Sequence, residues 1–182
     1  MTCTDLTVTG DQLREAVGTF PSDVTIVTTH DGEGAEVGMT VSAFTSLSLE
    51  PAMVMFSVAN SSSSLPYLTV GAPIGISVLS DGQGGLARQF ATRGIDRFAG
   101  VDTVQRGRGV SIIDASAAWF AGEISNAFPG GDHTIFTIAV EECDEAEGVR
   151  PLLYQKGRVH GCSEPGSSVW PLRALVAPHP PT

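Results

Sequence analysis

The amino-acid sequence predicts a mainly β protein, a β-barrel with a few short helices. Short runs rich in β-branched residues recur along the chain, Gly-rich turns separate them, and only three short segments have helical spacing of apolar residues. Strands and helices alternate too irregularly for a doubly wound sheet. In addition, no G-x-G-x-x-G motif follows a predicted strand, which argues against a Rossmann fold.

The first third of the chain predicts one helix followed by strands. Thr9 and Gln12 have the spacing of a capping box, and Gly18 is a candidate helix end. Strands are predicted at DVTIVTTH, at EVGMTVSAFTS, which returns as its partner after Asp31-Gly32, and at AMVMFSVA. The last run is almost continuously apolar, which predicts a buried strand.

The rest of the chain predicts two short helices and four more strands. We expect a helix from about Ser64, a strand at PIGISVLS and a helix at GGLARQFATRG. A hairpin is expected where AAWFAGEISNAF and HTIFTIAVEEC flank PGGD, and a final strand at PLLYQKGRVHG, kinked at Gly157. We expect residues 1–162 to form one domain and residues 163–182, rich in Pro and Ser, to form an extended tail.

Composition narrows the class of partner. Of 182 residues only 16% are charged, which favours a surface partly covered by a second copy of the chain, and the net charge of −10 argues against nucleic acid. No apolar run approaches the ~20 residues of a membrane helix, and no signal peptide is indicated. Cys3, Cys143 and Cys162 lack the spacing of a disulfide framework or a zinc site. A cytoplasmic protein without a metal is the expectation.

The stretch VGMTVSAFTSLSLEP combines strand-like alternation with an unusual polar face. From Val37 to Leu49 it carries no charge, and its polar positions are Ser and Thr. A packed Ser/Thr-rich strand would explain the β-branched residues. It would not explain so long a run without charge, so we interpret this face as the wall of a site for a small, uncharged ligand surface.

The stretch SVANSSSSLPYL places four serines before a predicted helix with Pro66 in its first turn. Backbone N–H groups at a helix start and serine hydroxyls together suit a phosphate. The alternative is that one serine caps the helix and the others form a solvated loop. On this stretch alone the solvated loop is the favoured interpretation.

The stretch SVLSDGQGGLARQFATRGIDRF concentrates Arg88, Arg93 and Arg97 in an otherwise acidic chain. Arginine is the side chain best suited to forked recognition of phosphate. The alternative is ordinary surface arginine that pairs with Asp81 or Asp96. The sequence does not decide between the two.

The stretch PGGDHT is predicted to turn a hairpin, and its glycines would let backbone approach a ligand closely. His133 would lie at the exit of the turn. Histidines elsewhere, at positions 30, 160 and 179, form no metal-binding spacing with it. A serine hydrolase is not indicated, because no G-x-S-x-G motif is present.

Six segments in a fixed order resemble the short-chain flavin reductases that serve two-component flavin-dependent monooxygenases. They are GTFPSDVTIVTT, GMTVSAFTSLSLEP, SVLSDGQGGLARQFA, DRFAGV, PGGDHTIF and PLLYQKGR, and the likeness covers about residues 13–159. The resemblance implies an FMN-binding split barrel, usually a homodimer. It implies hydride transfer from NADH or NADPH to FMN or FAD, and release of reduced flavin to a separate oxygenase.

The resemblance also implies the site residues. Those expected to line the flavin ring are Met39, Thr40, Val41, Ser42 and Ala43, with Thr40, Ser42 and backbone amides facing the polar edge of the ring. Those expected at the ribityl and phosphate groups are Ser57, Ala59, Asn60, Ser62, Ser63 and Ser64. Those expected to complete the flavin site are Leu79, Ser80, Gln83, Arg88 and Phe90. Those expected at the nicotinamide nucleotide are Gly131, Asp132, His133, Tyr154, Lys156 and Arg158. His133 is the catalytic candidate, as a positioning residue rather than a general base.

Two other functions on the same barrel are alternatives: a non-catalytic flavin-binding or storage protein, and a pyridoxamine-phosphate-oxidase-like enzyme. The Gly-Asp-His stretch weighs against both. The chain also departs from the family pattern. Gln155 and Lys156 stand where histidine and arginine are frequent, Ala52 stands where a second proline is frequent, and Asp23 stands where a small residue is usual.

Overall fold

The computed structural model describes residues 8–162. The helices are α1 (Gly10–Val17), α2 (Gly84–Ala91) and a 3₁₀ turn at Leu65–Tyr67. The strands are β1 (Ser22–Asp23), β2 (Thr25–His30), β3 (Glu36–Val41), β4 (Phe44–Leu49), β5 (Ala52–Ala59), β6 (Pro73–Val78), β7 (Thr103–Arg106), β8 (Val110–Ile113), β9 (Ala118–Gly130), β10 (His133–Glu145), β11 (Leu152–Gln155) and β12 (Arg158–Gly161). The predicted tail, residues 163–182, lies outside the described residues.

Helix α1 begins and ends where its sequence signals predict. The Gln12 N–H donates to Thr9 Oγ1 at 3.3 Å, and the Thr9 N–H donates to Gln12 Oε1 at 2.9 Å, which completes the capping box. At the other end the Gly18 N–H donates to the Arg14 carbonyl at 2.9 Å. The helix has no buried residue, so it lies on the outside of the barrel.

A seven-stranded antiparallel sheet forms the barrel, in the order β3-β2-β6-β9-β10-β5-β4. Its two edge strands, β3 and β4, are joined by Ser42 and Ala43 alone. Because so short a link spans opposite edges, the sheet has to curl until the edges meet. The Ser57 N–H donates to the Ala43 carbonyl at 3.1 Å, which extends the β4–β5 pairing into this link. The predicted fold, a mainly β split barrel with short helices, is confirmed.

Two predicted strands divide in the structure. The expected strand EVGMTVSAFTS is wrong as a single element, because it breaks after Val41 and continues as β4 on the far edge of the sheet. The expected final strand is also wrong as a single element. It is the hairpin β11–β12, which turns at Lys156 and Gly157, both with positive φ (48° and 76°). The hairpin β7–β8 was not predicted. Its second strand is apolar and buried, but it is only four residues long and follows a polar strand and a turn rich in Gly and Arg.

Strand β5 shows how the barrel separates its core from its site. Val54, Phe56 and Val58 are buried, while the residues between them are only partly buried. The strand is therefore buried on one face and not on both. Its other face carries Ser57 and Ala59, which line the candidate site described below.

The core has two parts. Inside the barrel, Phe56 and Phe136 pack with ring centroids 5.4 Å apart among fully buried aliphatic residues. Between the barrel and α2, the buried Leu79, Phe90 and Leu152 form a second cluster that fixes the helix. Within residues 8–162 no helix has the length and hydrophobicity needed to cross a bilayer.

Candidate active site

A small cavity of about 310 Å³ lies between the end of β3, the second half of β5 and the segment that follows α2. This volume is at the lower end of the range for small-molecule sites, about 300–1,000 Å³. Its predicted lining residues are Met39, Thr40, Val41, Ser42, Ala43, Ser57, Ala59, Ser62, Ser63, Phe90 and His133. It is also lined by Val58, Ser61, Ala91, Arg93 and Arg97. Among residues 8–162 no carboxylate lines it, so in an acidic chain the cavity is neutral on one side and positive on the other.

The wall of the small cavity formed by β3 and the facing part of β5 is polar, but some of its polar groups already form hydrogen bonds within the protein. The Thr40 hydroxyl donates to the Ala87 carbonyl at 2.7 Å, which ties β3 to α2. Met39 and Val41 border the cavity and are otherwise buried in the core. The exposed Ser42 and the half-buried Ser57 therefore provide the hydroxyl groups of this wall that bond no other described group.

Gly38 sets the distance between β3 and α2. A Cβ at this position would lie 2.5 Å from Phe90 Cε1 and 3.0 Å from Phe98 Cζ, closer than carbon atoms approach. The two rings meet edge to face with centroids 5.0 Å apart, and Phe90 is fully buried. Glycine at this position thus allows α2 to pack against the strand and to close the cavity.

The serine loop, residues 60–64, is held against the turn between β9 and β10. The Asn60 N–H donates to the Asp132 carbonyl at 2.9 Å, and Asn60 Nδ2 donates to the Gly131 carbonyl at 3.3 Å. The Thr134 hydroxyl donates to Asn60 Oδ1 at 2.8 Å. Asn60 therefore joins the serine loop, which the resemblance assigns to the flavin, to the β9–β10 turn, which it assigns to the nicotinamide nucleotide.

Two arginines converge on the serine loop from the segment after α2. Arg97 Nη1 donates to the Gly38 carbonyl at 2.7 Å and to the Ser64 hydroxyl at 3.3 Å, and Nε donates to the Thr92 carbonyl at 2.9 Å. Arg93 Nη2 donates to the Ser61 carbonyl at 3.3 Å. This arrangement makes one end of the small cavity suitable for a phosphate.

His133 is the first residue of β10 and lines the small cavity, with 42% of its side chain exposed. Its Nδ1 lies 2.7 Å from Asp132 Oδ1, a pair that holds the ring in one orientation. The hydrogen bond and the charge of His133 lower the pKa of the Asp132 carboxyl. No other described group bonds the imidazole, so Nε2 is available to a ligand.

A large cavity of about 1140 Å³ adjoins the small one, and both are lined by Ser42, Ala43 and Ser57. The rest of its lining comes from the end of α1, the segment from there through β1, the start of β4, Met55 of β5, Ile135 of β10, and the end of β11 with its turn into β12. Val17, Phe20 and Tyr154 line it while 46%, 58% and 41% exposed. Its charged lining residues are Arg14, Glu15, Asp23 and Lys156.

The structure thus separates the residues that the resemblance assigns to the nicotinamide nucleotide. His133 lies in the small cavity, Tyr154 and Lys156 lie in the large one, and Arg158 is exposed on β12 and lines neither. Gly131 and Asp132 form the hairpin turn beside the small cavity without lining it.

Two residues expected at the ribityl and phosphate groups and four expected to complete the flavin site do not line either cavity: Asn60, Ser64, Leu79, Ser80, Gln83 and Arg88. Leu79 is fully buried in the core. Gln83 accepts from the Ser80 N–H at 2.9 Å and donates to the Asp114 carbonyl at 2.7 Å, so these two residues shape the entry to α2. Arg88 is exposed on the helix.

Five residues that line the small cavity were not predicted from the sequence: Arg93, Arg97, Ser61, Val58 and Ala91. For the arginines the signal was present, since both stand in the one Arg-rich span of an acidic chain. Their distance from the serines along the chain conceals the contact. Metal binding has no candidate in the described part of the chain, where no three His, Cys, Asp or Glu side chains cluster suitably.

Fold and cavities together define a split-barrel protein with two adjoining cavities. The small cavity is neutral at one end and positive at the other, and the large cavity is more apolar. Residues 17–163 match the family described as "Flavin reductase like domain". The chain therefore belongs to the flavin reductase-like family. This confirms the family expected from the sequence and the enzyme class that goes with it, an oxidoreductase.

Known relatives agree with this assignment. The chain is 32% identical over 156 residues to actinorhodin polyketide dimerase of Streptomyces coelicolor, covering 85% of this chain and 88% of the relative. It is 32% identical over 158 residues to HsaB of Rhodococcus jostii, the reductase subunit of a flavin-dependent monooxygenase, covering 87% and 80%. Among solved structures, the NADH:FAD oxidoreductase SgcE6 of Streptomyces globisporus, in complex with NAD and FAD fragments, superposes with a TM-score of 0.80. That match has 33% identity and covers 86% of this chain and 94% of SgcE6.

Proposed function

We infer that the chain is an NAD(P)H:flavin oxidoreductase that reduces FMN or FAD by hydride transfer and supplies reduced flavin to a separate monooxygenase. The observation that carries this function is the junction of the two cavities at Ser42, Ala43 and Ser57. A flavin in one cavity and a nicotinamide nucleotide in the other would bring their rings together at that junction. The flavin-storage and pyridoxamine-phosphate-oxidase-like alternatives have no support among the relatives.

The small cavity fits a flavin. Ser42, Ser57 and nearby backbone amides offer hydrogen bonds without charge, which suits the polar edge of an uncharged ring. Arg93 and Arg97, with the serine loop between them, suit the phosphate end. The neutral part and the positive part of the cavity thus match the two ends of the ligand.

The large cavity fits a nicotinamide nucleotide. Phe20 and Tyr154 offer apolar and aromatic surface for its rings, and Arg14 and Lys156 offer positive charge for its phosphates. When bound, the dihydronicotinamide supplies a hydride from C4, which the flavin accepts at N5. The same cavity that admits the nucleotide also gives the reduced flavin a wide exit.

The role of the protein is to position the two rings. No protein nucleophile is required, so catalysis depends on holding the reacting atoms about 3–3.5 Å apart and on excluding competing geometries. The wall at Ser42 and Ala43 supports the rings at the junction. His133, oriented by Asp132, is the residue best placed to position a ligand from the β10 side.

A direct assay tests the function. Purified protein mixed anaerobically with NADH and either FMN or FAD should consume the nicotinamide and bleach the oxidised flavin in equal amounts. The matched control omits flavin. Flavin binding without consumption of NADH would favour the storage alternative. Parallel assays with NADPH would establish which nucleotide is preferred.

We place this reaction in the cytoplasm, where nicotinamide nucleotides and free flavin are available. The partner that consumes reduced flavin is a flavin-dependent oxygenase on a separate chain. HsaB, a reductase subunit of such a monooxygenase, supports this proposal.

Replacement of His133 with alanine is expected to lower kcat/KM for NADH by about tenfold to a hundredfold, the loss of one positioning hydrogen bond. Flavin affinity, measured by fluorescence quenching, should also fall, because His133 lines the small cavity that we assign to the flavin, but by a smaller factor, because the serine loop and the arginines remain. A loss of flavin binding with an unchanged KM for NADH would instead assign His133 to the flavin.

A homodimer is the expected assembly. Helix α1 presents Leu13 and Val17 at 57% and 46% exposure, Phe20 just beyond the helix is 58% exposed, and the edge strand β4 presents Leu49 at 82%. Exposed apolar side chains of this extent mark interaction surfaces, and covering them would also enclose the large cavity. Sedimentation at micromolar concentration should give a dimer, and a monomer would contradict the expectation.

A further inference from the structure

Asp23 carries a half-buried carboxylate that has no partner within residues 8–162. It lies in β1 beside Val24, which is only 3% exposed. Burial raises the pKa of the Asp23 carboxyl above its usual range. Among the described residues, no hydrogen bond or ion pair reaches this carboxylate. An ionised group partly removed from water without compensation destabilises the fold, so a role toward a ligand would account for its presence.

Asp23 lines the large cavity just beyond the end of the β2–β3 ladder, as Ser42 and Ala43 do on the other strand. Thr25 pairs with Val41, and the Thr25 hydroxyl donates to the Val41 carbonyl at 2.9 Å. Asp23 lies two residues before Thr25, and Ala43 lies two residues after Val41. Both residues line the large cavity, and Ala43 lines the small one as well.

The other charged or titratable groups that line the large cavity leave Asp23 uncompensated. Arg14 is paired with Asp11 at 2.6 Å, on the exposed side of α1. Glu15, Tyr154 and Lys156 form no ion pair or hydrogen bond with Asp23. The carboxylate is therefore a negative charge in the cavity without a cation of its own.

We propose that the Asp23 carboxylate binds the nicotinamide end of the nucleotide and favours its oxidised, cationic form. The inference rests on the proposed function. When the hydride leaves C4 with its electron pair, the neutral dihydronicotinamide ring becomes a cation. A poorly solvated carboxylate stabilises that charge as it develops and interacts little with the neutral ring, so it lowers the barrier rather than only tightening substrate binding.

The test is Asp23→Asn, which keeps the shape of the side chain and removes its charge. The kcat/KM for NADH should fall about threefold to tenfold, a modest loss because solvent reaches part of the carboxylate. The affinity for NAD⁺, measured by calorimetry without flavin, should fall by a similar factor while that for NADH stays the same. The control is Glu33→Gln, which removes a charge from the β2–β3 turn, outside both cavities.

Stability and pH provide readouts that a structural role would not produce. Because the pKa of the carboxyl is raised in the folded state, ionisation of Asp23 costs stability as the pH rises through that pKa, so Asp23→Asn should have an equal or higher Tm at neutral pH. The kcat/KM of the unmodified enzyme should rise with pH through the same pKa, and the variant should lose this dependence.

The outcomes separate this inference from the proposed function. An Asn variant with unchanged affinity for NAD⁺, or one with lower affinity for NAD⁺ and NADH alike and a lower Tm, would overturn the role of Asp23. Charge-dependent binding of NAD⁺ by a protein that fails to reduce flavin would uphold the role of Asp23 and refute the proposed function.

Discussion

Replacement of Arg97 with alanine is expected to weaken flavin binding by about tenfold to a hundredfold, the loss of one or two charge-assisted hydrogen bonds. The half-buried guanidinium is held by the Gly38 and Thr92 carbonyls and by the Ser64 hydroxyl, at 2.7, 2.9 and 3.3 Å. It is therefore pre-oriented toward the serine loop and needs little further ordering when a phosphate binds. Titration of FMN or FAD by fluorescence quenching measures the effect.

The matched comparison is Arg88→Ala, on the exposed face of α2. The resemblance includes Arg88 in the flavin site, whereas the structure brings Arg97 to the small cavity. We expect the Arg88 variant to bind flavin within about threefold of the unsubstituted protein, the effect of a distant surface charge. A larger loss in the Arg88 variant than in the Arg97 variant would show that the phosphate lies elsewhere.

Replacement of Gly38 with alanine is expected to destabilise the fold by about 1–3 kcal/mol, the usual cost of overpacking a filled site. The added Cβ would lie 2.5 Å from the ring of Phe90. This ring is fully buried and packed in the second core cluster, so it cannot move aside without disturbing its neighbours. Helix α2 would have to shift outward and loosen the bond between Thr40 and Ala87. Flavin affinity should fall together with Tm.

Gly85→Ala is the control for this experiment. It adds the same methyl group in α2 at a position where nothing lies within 4 Å of the new Cβ. Alanine is the better helix former, so Tm should stay the same or rise slightly. A Gly38 variant as stable as the Gly85 variant would show that β3 and α2 are not tightly packed.

Local signals in the sequence predicted the elements that depend on neighbours in the chain. Thr9 and Gln12 start α1 because a capping box needs only residues three apart. Gly131 and Asp132 turn the β9–β10 hairpin, where Gly131 has a φ of +73°, a conformation that glycine tolerates best. Each feature is decided within a few residues, so it can be recognised without the fold.

The elements that were missed depend on distant parts of the chain. The alternation of residues continues through Ser42 and Ala43 without a break, so nothing local indicates that β3 and β4 part there. Only closure of the seven-stranded sheet decides it. The turn at Lys156 and Gly157 was predicted only as a kink at Gly157, since a positive φ at a lysine carries no sequence signal.

The candidate site divides in the same way. The uncharged wall around Ser42 and the serine loop can be recognised as segments, because their composition departs from that of an ordinary strand or loop. Which arginine joins them cannot be recognised, because it depends on how α2 packs through Phe90 against Gly38. For the same reason, the isolation of the Asp23 carboxylate became evident only in the folded chain.

The sequence by itself determined the class of barrel, the family and the uncharged wall around Ser42, since these depend on residue types and short spacings. The tertiary structure decided that Ser42, Ala43 and Ser57 border two cavities, that Arg97 and not Arg88 reaches the serine loop, and that Asp23 has no partner in the described part of the chain. The physical reason is that these relations arise when strands far apart in the chain become neighbours in a closed sheet. No local pattern encodes which side chains such closure brings together.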